Sequence, residues 1–424
     1  MEQNAKSVNE WSGTKEQKLW GLMQIWAEVK YNFAFFDRLP DLDWDAEVRK
    51  CIPRVMAVND IVSYYQILRE LVSLLNDGHT VVMLPGHIRA GYDSPPLELQ
   101  MIEGKIVIVR VGDSDEIRDQ KISPGLEIIE IDHCQVQEYF HENVLRFYRG
   151  GTEQWGNAFG LFNLLQGTSG SIVSMLLKDI HSETRLVRLT RNSEVSGGKT
   201  FKHRILDYDP IIEARMIGEF AYFRLSTFDD AQIVDQFNKE LDKMDLDAIK
   251  GMILDVRYNI GGESDIGFGI ISRLIDKPLE ASKWKTRKYL PAYRAWGNAE
   301  GWYESAMSAI QPSSTKQYTG SLIVLTGHHT FSSAEDFLVP LSYSNRATLV
   351  GEKTAGSTGQ PLRIILPGGG YCLICTIQST FPDGREFIGY GIEPNIVIHP
   401  TQNDICENRD PVLERAVEEL TNRI

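Results

Sequence analysis

Gly251-Met252-Ile253-Leu254-Asp255-Val256-Arg257-Tyr258-Asn259-Ile260-Gly261-Gly262-Glu263-Ser264 is the stretch from which the fold can be read. Five residues, Gly251–Asp255, form an apolar run of strand length that ends on a carboxylate. A glycine pair follows, and a helix is expected from Ser264 to Ile275. The same alternation continues on both sides. Phe220–Leu225 reads as a strand and Ala231–Met244 as an amphipathic helix. Ser321–Leu325 reads as a strand, Ser333–Ser342 as a helix and Thr348–Val350 as a strand. Strands that alternate with helices imply βαβ units and a largely parallel sheet covered on both faces. Asp410-Pro411 is an N-cap and first-turn pair, and it opens a last helix that runs to Ile424.

Toward the N-terminus the periodicity changes. Trp20, Met23, Ile25, Trp26 and Val29 give an apolar face to a helix between Thr14 and Tyr31, with Thr14 and Gln17 spaced as a capping box. After Asn59, the residues Ile61, Tyr64, Tyr65, Leu68, Leu71, Val72 and Leu75 recur at helical spacing. Asn76-Asp77-Gly78 is a turn signal that ends this helix. His79 then stands at the mouth of a short strand, Thr80–Leu84. Beyond Pro95-Pro96 the chain is strand-rich, with Lys105–Val111, Leu126–Asp132, Ser171–Leu177 and Arg185–Leu189 as strands by their β-branched content. Residues 141–168 interrupt this region as a long insertion.

Composition narrows the function classes. The chain has 424 residues, 42% apolar and 24% charged, the profile of a globular protein of two or three domains. Its 44 basic and 58 acidic residues leave a net charge of −14. An acidic chain lacks the basic footprint of nucleic-acid binding. No apolar run approaches the ~18 residues of a membrane-spanning helix. The N-terminal stretch MEQNAKSVNEWSGTKEQ shows no signal-peptide pattern. The five cysteines are odd in number and scattered, so no disulfide framework is expected. Cys372 and Cys375 form a C-x-x-C, but they sit in a strand-like run, Tyr371–Thr376, and read as buried strand thiols rather than a redox or zinc pair. No metal or organic cofactor is implied.

In an α/β sheet, ligands bind beyond the carboxyl ends of the strands. Two loops stand there. In the first, Gly261-Gly262 opens a helix and can turn backbone N–H groups toward developing negative charge, although an ordinary strand-to-helix turn has the same look. In the second, Thr326-Gly327-His328-His329-Thr330-Phe331-Ser332-Ser333-Ala334-Glu335-Asp336 places a serine pair at a helix start. A hydroxyl there suits a nucleophile whose attack creates an oxyanion, and it equally suits a helix cap.

Five motifs in order, Asp77-Gly78-His79-Thr80, LDVRYNIGG (254–262), TFSSAEDF (330–337), GEKTAGSTGQ (351–360) and GYGIEPN (389–395), resemble the S41 peptidase family. That family includes C-terminal processing proteases, tricorn-type proteases and the repeats of interphotoreceptor retinoid-binding protein. The resemblance implies an α/β core of the ClpP/crotonase type at 207–424, a PDZ-like β-rich domain at 89–206 and a helical N-terminal cap at 1–88. It makes Ser332 the nucleophile, three residues before Glu335, with the amides of Ser333 and Gly262 as the oxyanion hole. In the lysine-dependent branch the base would stand where this chain has Ser357, so a serine–histidine pair with His79 is expected instead. Lys353 lies four residues before that position, and His328 and His329 read as loop residues. The tricorn-type pattern also has a serine just before the histidine, where this chain has Gly78. Its acid maps onto Ile388. Glu393 is taken as the replacement that orients His79, with Asp77 the alternative.

The expected function is therefore a serine endopeptidase cleaving extended or unfolded peptide segments through an acyl-enzyme. The partner is a peptide or protein, and the resemblance implies an extracytoplasmic compartment. The competing expectation is a weak or inactive peptidase-fold protein that binds a peptide or an apolar small ligand. A Ser332 hydroxyl within hydrogen-bond reach of His79 separates the two.

Overall fold

The computed structural model describes residues 13–299, 301–306 and 308–424. Residues 1–12, most of the stretch read for a leader sequence, lie outside them.

The helical region comprises α1 (Lys15–Asn32), α2 (Trp44–Ala57) and α3 (Ile61–Ser73). Thr14 and Gln17 form the expected capping box at the start of α1. Asp43 caps α2 and Asp60 caps α3 through their carboxylates. Sequence periodicity alone had not picked out α2. Its only fully inward groups are Trp44, Val48, Cys51 and Val55, a narrow stripe on a charged helix. After α3 the chain turns at Asn76 and enters β1 (Val81–Met83).

The β-rich unit is an antiparallel sheet of β2 (Leu97–Ile102), β3 (Lys105–Val111), β4 (Glu127–Ile131), β5 (Ile172–Lys178) and β6 (Thr184–Thr190), in that spatial order. Ile106 and Ile108, and Val173, Met175 and Leu177, alternate inward, and Ile128 and Ile131 join them across a register shift between Ile128 and Glu130, so that the sheet has its own core. The insertion at 141–168 contains α4 (Glu153–Asn163), whose N-cap is Thr152.

The α/β core begins with β7 (Ile212–Ile217) and β8 (Phe220–Leu225) and continues through α5 (Gln232–Asp242), β9 (Gly251–Asp255) and α6 (Ser264–Ile271). An excursion then carries β10 (Lys283–Lys288) and β11 (Gly301–Glu304). The chain returns in β12 (Leu322–Thr326), α7 (Ser333–Tyr343) and β13 (Thr348–Gly351). An antiparallel pair follows, β14 (Pro361–Ile365) and β15 (Tyr371–Cys375), then β16 (Ile377–Thr380), which pairs antiparallel with β10, and the chain ends with β17 (Ile396–Val397) and α8 (Pro411–Thr421). The main sheet runs β7–β8–β9–β12–β13–β17, antiparallel at its first pair and parallel thereafter.

Period-two alternation explains how this sheet is covered on both faces. Phe223, Leu254 and Val324 point toward α5, α6 and α7, where Phe237, Ile270 and Phe337 meet them. Tyr222, Ile253 and Ile323 point the other way, onto Val412, Ala416 and Leu420 of α8. The apolar layer under α7 is continuous with that of α1–α3, so the helical segment and the α/β core bury one shared interior. The pairing of β1 with β15 extends this union to the backbone. Cys372 and Cys375 stand on β15 as buried, unpaired thiols. None of the described helices is long and apolar enough to cross a membrane.

Phe337 is fully buried between α7 and the sheet. Phe337→Ala should cost about 3–5 kcal/mol. The expected result is a lower urea midpoint at unchanged slope; an unaltered midpoint would contradict the packing described.

Candidate active site

Because β9, β12 and β13 are parallel, the loops that follow them emerge at one end of the sheet. In the first loop the buried Asn259 acts as a brace. Its Nδ2 donates to Leu225 O at 3.1 Å, and its Oδ1 accepts the Gly261 N–H at 2.8 Å. Gly261 has φ +96°, and a Cβ there would lie 2.8 Å from the Ser332 Cβ and 2.9 Å from the Ser333 nitrogen. A side chain would push the loop off the serine. In the second loop Thr330 Oγ1 donates to Val256 O at 2.9 Å and Phe331 N–H donates to Asn259 O at 3.1 Å. Ser332 N–H donates to Ser357 O at 3.0 Å, which ties in the third loop.

Ser332 has φ +59° and ψ −127°, a strained conformation for a residue with a side chain. It immediately precedes α7, but its hydroxyl makes no capping bond. Its Oγ lies 2.9 Å from Nε2 of His79 instead, across 253 residues of sequence. His79 is 7% exposed. Its Nδ1 lies 2.8 Å from Ser357 Oγ. If Nε2 accepts from Ser332, then Nδ1 carries the ring hydrogen and Ser357 accepts it. Burial pushes the His79 pKa down to about 3, so the ring is neutral at pH 7 and able to take a proton.

The group facing Nδ1 is therefore Ser357, and this corrects the assignment of Glu393. Glu393 is exposed and pairs with Lys353 at 2.7 Å. That ion pair also occupies Lys353. Asp77, the other acid considered, binds backbone rather than ring: its Oδ2 accepts the His79 N–H at 3.1 Å and the Thr80 hydroxyl at 2.7 Å. Ser357 in turn is held by Glu335. The Glu335 carboxylate accepts Ser357 N–H and Gly356 N–H, each at 2.8 Å, and the Thr354 hydroxyl at 2.5 Å. Burial lifts the Glu335 pKa to about 8 even with these three donors on it. Gly78 is part of the same fit, because a Cβ there would sit 2.6 Å from Ser357 Oγ.

His328 turns away, with Nδ1 3.0 Å from Lys353 O. His329 is half-buried against Trp155 and Tyr258, and desolvation lowers its pKa to about 4. Two amides near Ser332 are left over. Gly261 spends its N–H on Asn259, whereas the N–H groups of Gly262 and Ser333 have no acceptor among the described residues. Ser333 opens α7, where an amide has no partner within the helix. A hydroxyl, a neutral imidazole and two free amides are the parts needed for acyl transfer. Among the described residues, no group of three or more His, Cys, Asp or Glu side chains is placed to hold a metal ion.

Residues 219–398 match the model of peptidase family S41. The carboxyl-terminal-processing protease of Picosynechococcus sp. is 26% identical over 397 residues, 91% of this chain and 84% of that one. Among solved structures, mature CPAF superimposes with a TM-score of 0.75 at 18% identity, covering 96% of this chain and 98% of that one. The photosystem II D1 C-terminal processing protease gives 0.55 at 16% identity, over 90% of this chain and 93% of that one. At these identities the two structures are likenesses of fold.

Two substitutions test the geometry. Gly78→Ser should cut peptide-cleaving activity at least tenfold through its clash with Ser357. Adding Ser357→Gly opens that space for the new hydroxyl and should recover part of the loss. Glu393→Ala should stay within twofold of the unaltered protein; a large loss there would restore Glu393 to the site.

Proposed function

We propose, from the match of residues 219–398 to peptidase family S41, that the protein is a serine endopeptidase working through a Ser332–His79 pair. The 2.9 Å contact between Ser332 Oγ and His79 Nε2 carries this reading. It also favours a peptidase over the alternative of a peptidase-fold binding protein, which has no need of that contact.

In the proposed reaction Ser332 Oγ attacks the scissile carbonyl carbon and its proton passes to His79 Nε2. The carbonyl oxygen becomes an oxyanion that accepts hydrogen bonds from the Ser333 and Gly262 amides. The C–N bond then breaks as His79 returns the proton to the departing amine, leaving an acyl ester on Ser332. His79 next deprotonates a water, which attacks the ester, and the proton goes back to Ser332. Ser357 holds Nδ1 and thereby the tautomer that leaves Nε2 free. No carboxylate touches the imidazole ring, so the imidazolium formed during each step is stabilised through a hydroxyl rather than an ion pair. The substrate is an extended or unfolded peptide segment, recognised near its C-terminus. The similarity to the Picosynechococcus carboxyl-terminal-processing protease supports that preference.

Ser332→Ala should abolish peptide cleavage and labelling by a serine-reactive phosphonate. His79→Ala should lower both by about 10²- to 10⁴-fold. Full labelling of either variant would overturn the proposal.

The pH profile gives a separate check. A base whose pKa is pushed down to about 3 stays neutral on acidification. The kcat/KM should therefore hold from pH 7 to pH 5. A fall centred near 6.5, the value of an unperturbed histidine, would contradict the buried base. Stability, unlike activity, should change over this range. The unfolded chain binds a proton at His79 below about pH 6.5 while the folded one does not, so this residue lowers stability as pH falls from there.

A further inference from the structure

His79 lies against a small apolar cluster assembled from distant parts of the chain: Val81 of β1, Tyr148 and Trp155 of the insertion, and Ile260, Phe331 and Ala355 of the core loops. The rings within it are ordered. Phe331 lies flat on the imidazole, with centroids 4.4 Å apart and planes 11° apart. Trp155 lies flat on Phe331 at 4.2 Å and 15°. Two rings at such distances cannot share one face of Phe331, so Phe331 is sandwiched between them.

The sandwich is closed by hydrogen bonds. Trp155 Nε1 donates to Tyr148 Oη at 2.6 Å, and Tyr148 Oη donates to Gly78 O at 3.0 Å. Gly78 is covalently joined to His79, so the contacts run in a circuit from His79 through Phe331, Trp155 and Tyr148 back to the backbone of His79. The start of α4 grips the facing loop as well. Thr152 Oγ1 donates to Ala355 O at 2.5 Å, and Gln154 Nε2 donates to Thr354 O at 3.0 Å. Those carbonyls lie just before Ser357, the partner of Nδ1.

We infer that Tyr148 and Trp155 of the 141–168 insertion, together with Phe331 of the core loop, are positioning residues, a clamp that fixes the plane of the His79 ring and keeps water from its face. This rests on the reading of His79 as the general base. Filling space alone would not require parallel rings or a tie to residue 78. A flat partner limits rotation of the imidazole about its Cβ–Cγ bond, and that rotation is what would carry Nε2 away from Ser332 and Nδ1 away from Ser357 at the same time. The charged and titratable groups around the ring leave the role to packing. Asp77 binds the backbone amide of His79. Glu335 and Asp336 lie behind Ser357 and Thr358 and bond to those residues. Cys375 of β15 is a buried neutral thiol, and His329 is on the Trp155 side. None of the acids touches the ring.

The test uses the full chain with Trp155→Leu, Trp155→Phe, Phe331→Leu and Tyr148→Phe, assayed for peptide cleavage across pH and for phosphonate labelling. The Leu variants should lose at least tenfold in kcat with KM within twofold. Their acid limb should move up by about one pH unit or more as water reaches the imidazole. Trp155→Phe keeps a flat ring and should recover most of the kcat. Tyr148→Phe keeps ring volume and removes the hydroxyl that joins Gly78 to Trp155, so it should lower kcat at least threefold with KM within twofold. An unmoved acid limb in both Leu variants, or equal damage from Trp155→Phe and Trp155→Leu, would overturn the clamp. Phosphonate labelling that does not depend on His79 would overturn the catalytic reading instead, whatever the clamp variants do.

Discussion

Everything at the site depends on one short piece of β-pairing. Val81, Val82 and Met83 of β1 lie opposite Leu373, Cys372 and Tyr371 of β15. Thr80 Oγ1 accepts the Cys375 N–H at 3.0 Å, and Ala34 N–H donates to Cys375 O at 3.1 Å. His79 is two residues before β1, so its distance from Ser332 is measured out along this strand. A slip of one residue shifts a strand by about 3.3 Å and turns its side chains to the other face. The Ser332–His79 contact of 2.9 Å has no slack for that. The shared apolar interior under α1–α3 and α7 makes such a slip expensive, since it would drag buried side chains out of register.

The acids near the site act as scaffolding. Asp77 organises the turn before β1, Glu335 the loop that carries Ser357, and Asp336 joins Ser264, Ser282 and Thr358. Each spends its oxygens on amides and hydroxyls of the protein. Burial raises the pKa of all three, and the hydrogen bonds each one accepts pull against that rise. The proposed reacting pair is a hydroxyl and an imidazole that burial keeps neutral, on a chain whose net charge is −14.

Much of this was legible in the sequence, for reasons that differ by element. Lys105–Val111, Phe220–Leu225 and Gly251–Asp255 were readable to the residue, because β-branched and apolar runs bounded by turns leave few alternatives. Ser332 and His79 were reached through motif order rather than local pattern, since neither a helix-start serine nor a turn histidine is distinctive. Ser357 was seen only as the place where a lysine was missing. Its role comes from the fit between a glycine at 78 and a hydroxyl at 357, a relation across 279 positions that no window of sequence contains. Glu393 failed for the complementary reason: it has the right chemistry near a recognisable motif, but Lys353 claims it at the surface. Trp155, which stacks on Phe331, was hidden inside an insertion whose length was the only visible signal.

The separation of Ser332 from His79 has a consequence for how the molecule comes into being. Neither half of the chain contains a reactive centre. The segment holding His79 has an unremarkable imidazole, and the segment holding Ser332 has an unactivated alcohol. On the proposed reading of the pair, hydrolytic power arises only on closure of a loop of 253 residues, after the sheet, the helical layer and the insertion have come together. A chain still being assembled is therefore harmless to itself and to its neighbours, and cleavage is in effect a certificate that folding is complete.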